Sequence, residues 1–264
     1  MPDPTSPVLF RISDGIAEIR FNRPARLNAV DIEVSQGFEE AVERALAEHH
    51  LRVVIVSAEG RAFIAGGDLS HFHRSPDKRL AASELIDPMH RALFRLAESP
   101  AITIGSLKGV VAGAGMSLAL NLDLLVAAED TIFNLAYARV GASPDCGASY
   151  ALPRLVGYRR ALEIALLSDN IDARQALSLG LVNRLVPIGD LETETARLAA
   201  RLASQAQAPQ GRIKALMRQS LQRTLPQQLD AEAAAFADCA VTEDFAEAVA
   251  AFLEKRKPRF SGKR

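Results

Sequence analysis

An aspartate lies inside a turn made almost entirely of small residues, the stretch GASPDCGASY at positions 141–150. The carboxylate of Asp145 can take a proton from a substrate and return it, which is the work of a general acid or base. Aspartate after proline is also a common turn former, so this side chain could instead shape the local backbone. The stretch by itself leaves both interpretations open.

In two other stretches the backbone N–H groups could bind or activate a ligand. Gly66-Gly67 and Gly113-Ala114-Gly115 are small enough to let a bound molecule approach backbone N–H groups closely. The second stretch opens a predicted helix, whose first amides lack intrahelical partners and favour negative charge. An isolated stretch of this kind is more often a tight turn or a close helix contact, so neither stretch settles a function alone.

The elements that must position these residues alternate between strands and helices. An Asp-Gly pair between alternating apolar and polar residues predicts a hairpin over 8–21. The fully apolar run at 51–57 predicts a strand in a sheet covered on both faces. The other predicted elements are helices over 31–50, 83–98 and 115–122 and strands over 101–107 and 123–128. After Tyr150 the pattern predicts helices to the end, with one short strand over 182–186. This order predicts an α/β fold with a helical last third.

Composition excludes several classes of protein. The formal net charge of -1 gives no overall field to attract nucleic acid or an anionic membrane. The two cysteines, Cys146 and Cys239, suggest neither a disulfide framework nor a zinc site. No apolar run reaches the roughly 18 residues of a membrane span, and the first residues do not have the pattern of a signal peptide. We therefore expect a soluble, cytoplasmic protein.

Six stretches resemble, in order and spacing, the enoyl-CoA hydratase/isomerase (crotonase) superfamily. They are FNRPARLNAV (21–30), GRAFIAGGDL (60–69), KGVVAGAGMSLAL (108–120), FNLAYARVGASPDCGASYALPRLVG (133–157), SLGLVNRLVP (178–187) and AFLEKRKPRF (251–260). The resemblance implies a crotonase-like spiral of ββα turns with a helical C-terminal region. It also implies a core over 1–200, a trimerisation region over 201–264, and assembly as a homotrimer or a dimer of trimers.

The resemblance further implies an acyl-coenzyme A substrate, drawn from fatty acid or aromatic acid metabolism. The amides of Gly67 and Ala114 would hold the enolate oxyanion on the thioester carbonyl, and coenzyme A would enter as part of the substrate, with no metal or other cofactor. Arg26 could meet a phosphate, as could the basic run 255–257. The backbone that would hold the adenine side comprises Ala65, Gly66, Gly67, Asp68 and Leu69.

The chain departs from the hydratase pattern at two positions. Hydratases of this family use two glutamates, and the matching positions here hold Ser117 and Tyr137. Neither side chain is a suitable general base at neutral pH. Ordinary two-glutamate hydration is therefore not expected, and Asp145 becomes the acid/base candidate, since related branches carry a catalytic aspartate at the matching place.

Two branches of the family fit an aspartate there. In the enoyl-CoA isomerases, one carboxylate moves a proton from C2 to C4 while the oxyanion hole holds the dienolate. In the 4-halobenzoyl-CoA dehalogenases, the aspartate attacks the ring and a histidine helps water to hydrolyse the ester. His90 resembles that histidine, and Tyr137 stands where that branch has a tryptophan; a lone helical histidine is, however, more often structural.

We expect an enoyl-CoA isomerase that uses Asp145, in a pocket lined by apolar residues around Phe63, Tyr137 and the segment 80–94. The alternatives are a dehalogenase-like or other hydrolytic enzyme with Asp145 as nucleophile, or an enoyl-CoA hydratase that lacks both glutamates. A non-catalytic RNA-binding or scaffolding member is a third alternative, although the chain has no basic patch with interleaved aromatic residues.

Overall fold

A computed structural model describes residues 5–260, and in it the chain opens with an antiparallel hairpin. Strands β1 (Val8–Ser13) and β2 (Ile16–Phe21) are joined by Asp14 and Gly15, with φ of 51° and 75°. Two left-handed residues match the right-handed twist of the flanking strands, which is why an Asp-Gly pair stands here. The predicted hairpin is confirmed.

The first helix and the following strand build one face of the core. Helix α1 (Ile32–Leu46) begins at Asp31, whose carboxylate accepts the N–H of Val34 at 2.9 Å. Its buried side packs on the hairpin, and strand β3 (Val53–Ala58) is buried along its whole length. A strand without an exposed residue must be covered on both faces, as its composition predicted.

The remaining elements follow in an α/β order that becomes helical. They are β4 (Ala62–Ile64), α2 (Leu69–Arg74), α3 (Lys78–Glu98), β5 (Ile102–Leu107), β6 (Val110–Ala112), α4 (Ala114–Leu120), β7 (Leu124–Ala128), β8 (Ile132–Asn134), α5 (Ala148–Val156), α6 (Tyr158–Leu167), β9 (Ile171–Asp172), α7 (Ala173–Ser178), β10 (Arg184–Val186), α8 (Leu191–Ala203), α9 (Gln207–Gln219), α10 (Leu225–Ala240) and α11 (Glu243–Leu253). Short 3-10 turns occupy Pro24–Arg26, Tyr137–Val140, Ile188–Asp190 and Ser220–Gln222.

The strands form two sheets. The larger has the order β1-β2-β3-β5-β7-β10, and all its pairs except the hairpin are parallel. The smaller has the order β4-β6-β8-β9, with β4, β6 and β8 parallel. The strands of the smaller sheet are two or three residues long, too short for an alternating pattern, so the sequence did not predict this sheet.

The segment before β5 differs from its prediction. Helix α3 starts at Lys78 rather than at residue 83, because the carboxylate of Asp77 accepts the N–H groups of Arg79 and Leu80 at 2.9 and 3.0 Å. Helix α2 precedes it, so most of residues 70–82, for which no helix or strand was predicted, are helical. An N-cap aspartate followed by polar residues carries too little periodicity to be recognised as a helix start.

The C-terminal helices are fastened to the sheet by a buried lysine of α9. The Nζ of Lys214 donates to the carbonyls of Leu96 and Ala101 at 2.9 and 2.8 Å and lies 2.9 Å from Asp123. Burial lowers the pKa of Lys214, and the charge of Asp123 opposes that shift. The boundary at residue 200 and the role in trimerisation stay predictions. No helix within residues 5–260 combines the length and apolar character of a membrane span.

Candidate active site

Three neighbouring strands of the smaller sheet end at one cavity of about 440 Å³. Gly67 follows β4, Ala114 follows β6 and Tyr137 follows β8, and all three line the cavity. Parallel strands place their carboxyl ends along the same edge, where open α/β sheets bind ligands. The second sheet, which the sequence did not predict, is therefore what brings the predicted residues together.

The glycines of the two main-chain stretches allow close approach of the backbone. Gly113 has φ of 51°, and a Cβ there would lie 3.4 Å from the Cα of Gly66, so the two loops touch. A Cβ on Gly115 would lie 2.4 Å from the carbonyl oxygen of Ile64, so only glycine lets α4 pack this closely on β4. These contacts set Gly67 and Ala114 side by side on the cavity wall.

The N–H groups of Gly67 and Ala114 are available to a ligand. Among residues 5–260, no hydrogen bond from either N–H to another part of the chain is formed, whereas Ala65 donates to Leu27 and Asp68 donates to Val30. Ala114 is the first residue of α4, where a helix leaves its amides without intrahelical partners. Two such donors on one wall can hold a developing oxyanion.

Asp145 is the one carboxylate that lines the cavity within the described chain. It is half-buried, and the hydroxyl of Tyr137 donates to its Oδ1. The Ser117 Oγ lies 2.9 Å from the Tyr137 hydroxyl and donates to the carbonyl of Gly113 at 3.1 Å. The two residues that replace the hydratase glutamates thus form a hydrogen-bonded chain that ends on Asp145.

The neighbours of Asp145 keep their protons. Burial, with the charge of Asp145 and the hydrogen bond to it, raises the pKa of the Tyr137 hydroxyl far above its ordinary value. Burial and the same carboxylate raise the pKa of the Cys146 thiol. Because neither group ionises near neutral pH, Tyr137 acts as a donor and Cys146 is not a ready nucleophile.

The side chain of His90 does not line the cavity. Its Nε2 accepts the backbone N–H of Cys146, a residue of the cavity lining, at 3.0 Å. The ring is exposed in a separate groove that also contains Tyr150 and Arg218. The structure joins His90 to the backbone of the aspartate loop, and its catalytic role stays a prediction.

The predicted coenzyme-binding residues lie in different settings. Ala65, Gly66, Gly67 and Leu69 line the cavity. Asp68 caps α2 instead: its Oδ1 accepts the hydroxyl and N–H of Ser70 at 2.6 and 2.9 Å, and the bond from the hydroxyl holds the pKa of Asp68 below its ordinary value.

The basic residues proposed for the phosphates lie outside the cavity lining. Arg26 is exposed, with its guanidinium 3.8 Å from the carboxylate of Asp31. Arg256 pairs with Glu247 and Glu254, and these carboxylates raise its pKa. Contact of either arginine with a phosphate stays a prediction.

The rest of the cavity wall is apolar. From the segment 80–94, four side chains contribute, those of Ala82, Leu85, Ile86 and Met89. Phe63 was expected there and is instead fully buried, with its ring against Phe21 in the core. Phe72 and Val140 line the cavity and were not foreseen, since nothing in their local sequence distinguishes them from core residues. Within residues 5–260, no group of His, Cys, Asp and Glu could hold a metal ion.

Comparison with known proteins places these features in a family context. Residues 11–263 match the family model described as enoyl-CoA hydratase/isomerase. The 1,2-epoxyphenylacetyl-CoA isomerase of Escherichia coli K12 is 33% identical over 261 residues, which cover 97% of this chain and 98% of that protein. The crotonyl-CoA hydratase of Syntrophomonas wolfei is 29% identical over 260 residues, with the same coverage.

The fold expectation is confirmed by a solved structure. An enoyl-CoA hydratase subunit I from Geobacillus kaustophilus HTA426 superposes with a TM-score of 0.90 at 32% identity and covers 99% of this chain and 100% of its own. Isomerases and hydratases both occur among these relatives, so similarity alone does not decide between the two reactions.

Proposed function

The chain belongs to the enoyl-CoA hydratase/isomerase family of acyl-CoA-processing enzymes, and within it we propose an isomerase that moves a double bond with Asp145 as its one acid/base. The observation that carries this proposal is the composition of the cavity wall. Asp145 is its one carboxylate within the described chain, and the hydratase glutamates are replaced by Ser117 and Tyr137, which are hydrogen-bonded to each other.

The proposed reaction needs one base and a place for negative charge. The Asp145 carboxylate takes a proton from C2 of a 3-enoyl thioester, and the electron pair moves onto the thioester oxygen. The amides of Gly67 and Ala114 hold that oxyanion; one such donor supplies about 2.7–4 kcal/mol in a well-studied protease. The pair then returns, C4 takes the proton from Asp145, and the double bond lies between C2 and C3.

The hydrogen-bonded chain suits a group that must both take and return a proton. While Asp145 is ionised, the Tyr137 hydroxyl donates to it and Ser117 donates to the carbonyl of Gly113. Once Asp145 is protonated, its own O–H can donate to Tyr137, and Tyr137 can donate to Ser117, across the same contacts. Both protonation states therefore keep every hydroxyl bonded, without movement of heavy atoms.

The dehalogenase-like alternative is less well supported. That reaction needs a histidine in reach of the aryl ester on the aspartate, to help water attack it. The Nε2 of His90 is occupied by the amide of Cys146, and the ring lies outside the cavity. The apolar wall that faces Asp145 accepts an acyl chain or an aryl group, and the thioester site serves either reaction.

A substrate panel tests the proposal. Purified protein and Asp145→Ala are assayed for 3-enoyl-CoA isomerisation, 2-enoyl-CoA hydration and halide release from 4-chlorobenzoyl-CoA. We expect isomerisation alone, and its loss in the variant. Hydration as the main reaction would contradict the role given to Ser117 and Tyr137, and halide release would favour Asp145 as nucleophile. No activity, and no thermal stabilisation by acetyl-CoA, would favour a non-enzymatic member.

The C-terminal helices carry the proposed assembly interface. Large apolar side chains are more than half exposed on or beside α9 to α11; they are Ile213, Met217, Leu221, Leu225, Leu229, Phe236, Val241, Phe252 and Leu253. Apolar residues in this density are typical of a surface that packs against another copy. A mass measurement in solution should give a trimer or a dimer of trimers, and a monomer would contradict this. A cytoplasmic location stays a prediction.

A further inference from the structure

We propose that His90 is a positioning residue that fixes the Asp145 carboxylate through the backbone, rather than a group that carries protons. This inference rests on the proposed role of Asp145. The imidazole Nε2 accepts the N–H of Cys146 at 3.0 Å. That N–H belongs to the peptide that joins Asp145 to Cys146. The imidazole therefore fixes the orientation of this peptide, and with it the direction in which the Asp145 side chain points.

The next peptide is held from the other side. Asn121, at the end of α4, donates to the carbonyl of Cys146 at 3.0 Å and to the carbonyl of Ser117 at 2.8 Å. His90 on α3 and Asn121 therefore hold both peptides that flank Cys146. The loop is thereby tied to α3 and to the end of α4.

The loop needs such anchors because its backbone is strained. Cys146 has φ of 47°, a left-handed conformation that is unfavourable for a residue with a Cβ, and Gly147 follows with φ of 77°. Three residues on the other side of Asp145, at 141–143, are exposed. With the preceding segment at the surface, the side-chain bonds at Cys146 hold the aspartate in line with Tyr137, together with the bond from the N–H of Ala148 to the carbonyl of Asp145 at 3.1 Å.

The hydrogen bond from Cys146 also determines which ring nitrogen of a neutral His90 carries the proton. Because Nε2 accepts, a neutral His90 carries its proton on Nδ1. A second proton would place an N–H against the N–H of Cys146, and the anchor would be lost. The titratable or charged groups around His90 are Glu98, Tyr150 and Arg218 in its groove, Asp87 and Arg91 beside it on α3, and Asp145 itself.

Two substitutions of His90 test whether it acts as a hydrogen-bond acceptor or as a group that transfers protons. His90→Gln keeps an acceptor of similar reach that does not titrate, and His90→Phe keeps the ring volume without an acceptor. For 3-enoyl-CoA isomerisation, we expect His90→Phe to lose roughly 10²-fold in kcat with little change in KM, because the base is misplaced. His90→Gln should keep kcat near that of the unaltered protein. His49→Phe, at an exposed histidine, is the matched control.

Full activity in His90→Phe would overturn the inference. Equal loss in both variants would also overturn it, because a proton carrier cannot be replaced by glutamine.

A structural readout keeps the inference testable if the proposed reaction is wrong. Hydrogen–deuterium exchange over 142–150 reports the Cys146 amide directly, whatever the enzyme catalyses. We expect exchange there to be at least about tenfold faster in His90→Phe and unchanged in His90→Gln. Unchanged exchange in His90→Phe would overturn the positioning role, whereas faster exchange in a protein without isomerase activity would overturn only the proposed function.

Discussion

Two shielded aspartates in this molecule have opposite surroundings. Asp123 accepts the N–H and hydroxyl of Thr103, each at 2.8 Å, and lies 2.9 Å from the ammonium of Lys214. Asp145 accepts a hydrogen bond from the neutral hydroxyl of Tyr137 and faces an apolar cavity. The carboxylate of Asp123 is thus taken up by an ion pair and two hydrogen bonds, whereas that of Asp145 lies where a bound molecule can reach it.

The same contrast explains where each aspartate acts. The bonds of Asp123 connect β5, the end of α4 and α9, so removing its charge should disturb the fold. The bonds of Asp145 connect it to Tyr137 and through it to Ser117, beside the proposed oxyanion site, so removing its charge should disturb the reaction. The paired variants below test this division of roles.

The largest effect is expected from Asp145→Asn. Because a general acid or base contributes about 10²–10⁴-fold, kcat for isomerisation should fall by that factor. The free energy of unfolding should stay the same, since the asparagine Oδ1 still accepts the Tyr137 hydroxyl. Steady-state kinetics and urea unfolding measure the two quantities. Asp123→Asn is the matched control, and it should lower the free energy of unfolding while kcat per folded molecule is retained. Comparable losses of kcat in both variants would contradict the separate roles of the two aspartates.

Lys214→Met should affect stability and leave the reaction unchanged. Removing Lys214 leaves the Asp123 carboxylate with only the guanidinium of Arg218, 3.9 Å away. Loss of one partner of a buried pair typically lowers the free energy of unfolding by about 3–5 kcal/mol. Urea unfolding measures this change, and kcat per folded molecule should match that of the unaltered protein. Lys257→Met, at an exposed lysine, serves as the control. If the free energy of unfolding fell by less than about 1 kcal/mol, the scale of an exposed ion pair, the contacts of Lys214 would not be what holds α9 in place.

Ala114→Pro tests the main-chain part of the site. Proline is tolerated at the first position of a helix, and it lacks the N–H that we assign to the oxyanion. We expect kcat to fall by about 10²–10³-fold while the circular dichroism spectrum is retained. Ala114→Ser keeps the N–H and should keep most of the activity. An active, folded proline variant would remove Ala114 from the oxyanion hole.

Tyr137→Phe should give the smallest effect of the series. It deletes the hydroxyl that donates to Asp145 and leaves the ring in the cavity wall. A fall in kcat of about tenfold, equivalent to about 1.4 kcal/mol, fits the loss of one hydrogen bond to a charged group. Ser117→Ala removes the more distant hydroxyl and should cause a smaller loss. A larger loss in Ser117→Ala than in Tyr137→Phe would contradict the order of the chain.

The sequence predicted the first sheet better than the site's own scaffold. The hairpin at 8–21 and the buried strand at 51–57 carry periodic or uniformly apolar patterns, and both were found close to their expected bounds. Strands β4, β6 and β8 are too short for any pattern, although they bring Gly67, Ala114 and Tyr137 to one edge. Motif spacing indicated that these residues belong together without indicating which sheet joins them.

The sequence did not predict the long-range contacts, for a related reason. The pairing of Asp123 with Lys214 depends on how α9 docks, which no local pattern specifies. The bond from Cys146 to His90 likewise joins two distant segments through a backbone amide, a partner that every residue except proline offers. Residue type therefore identified these groups without fixing what they contact.

The transfer of deuterium from C2 to C4 of the substrate tests most directly whether one carboxylate performs both proton transfers. A 3-enoyl-CoA dideuterated at C2 is converted in ordinary water, and the label in the first product formed is located by NMR. Because Asp145 holds the abstracted deuteron beside neutral, protonated neighbours in an apolar cavity, we predict product with deuterium at C4 well above the solvent level. A first product without deuterium at C4, together with isomerisation that persists in Asp145→Asn, would contradict the single acid/base and require a second group for the return of the proton.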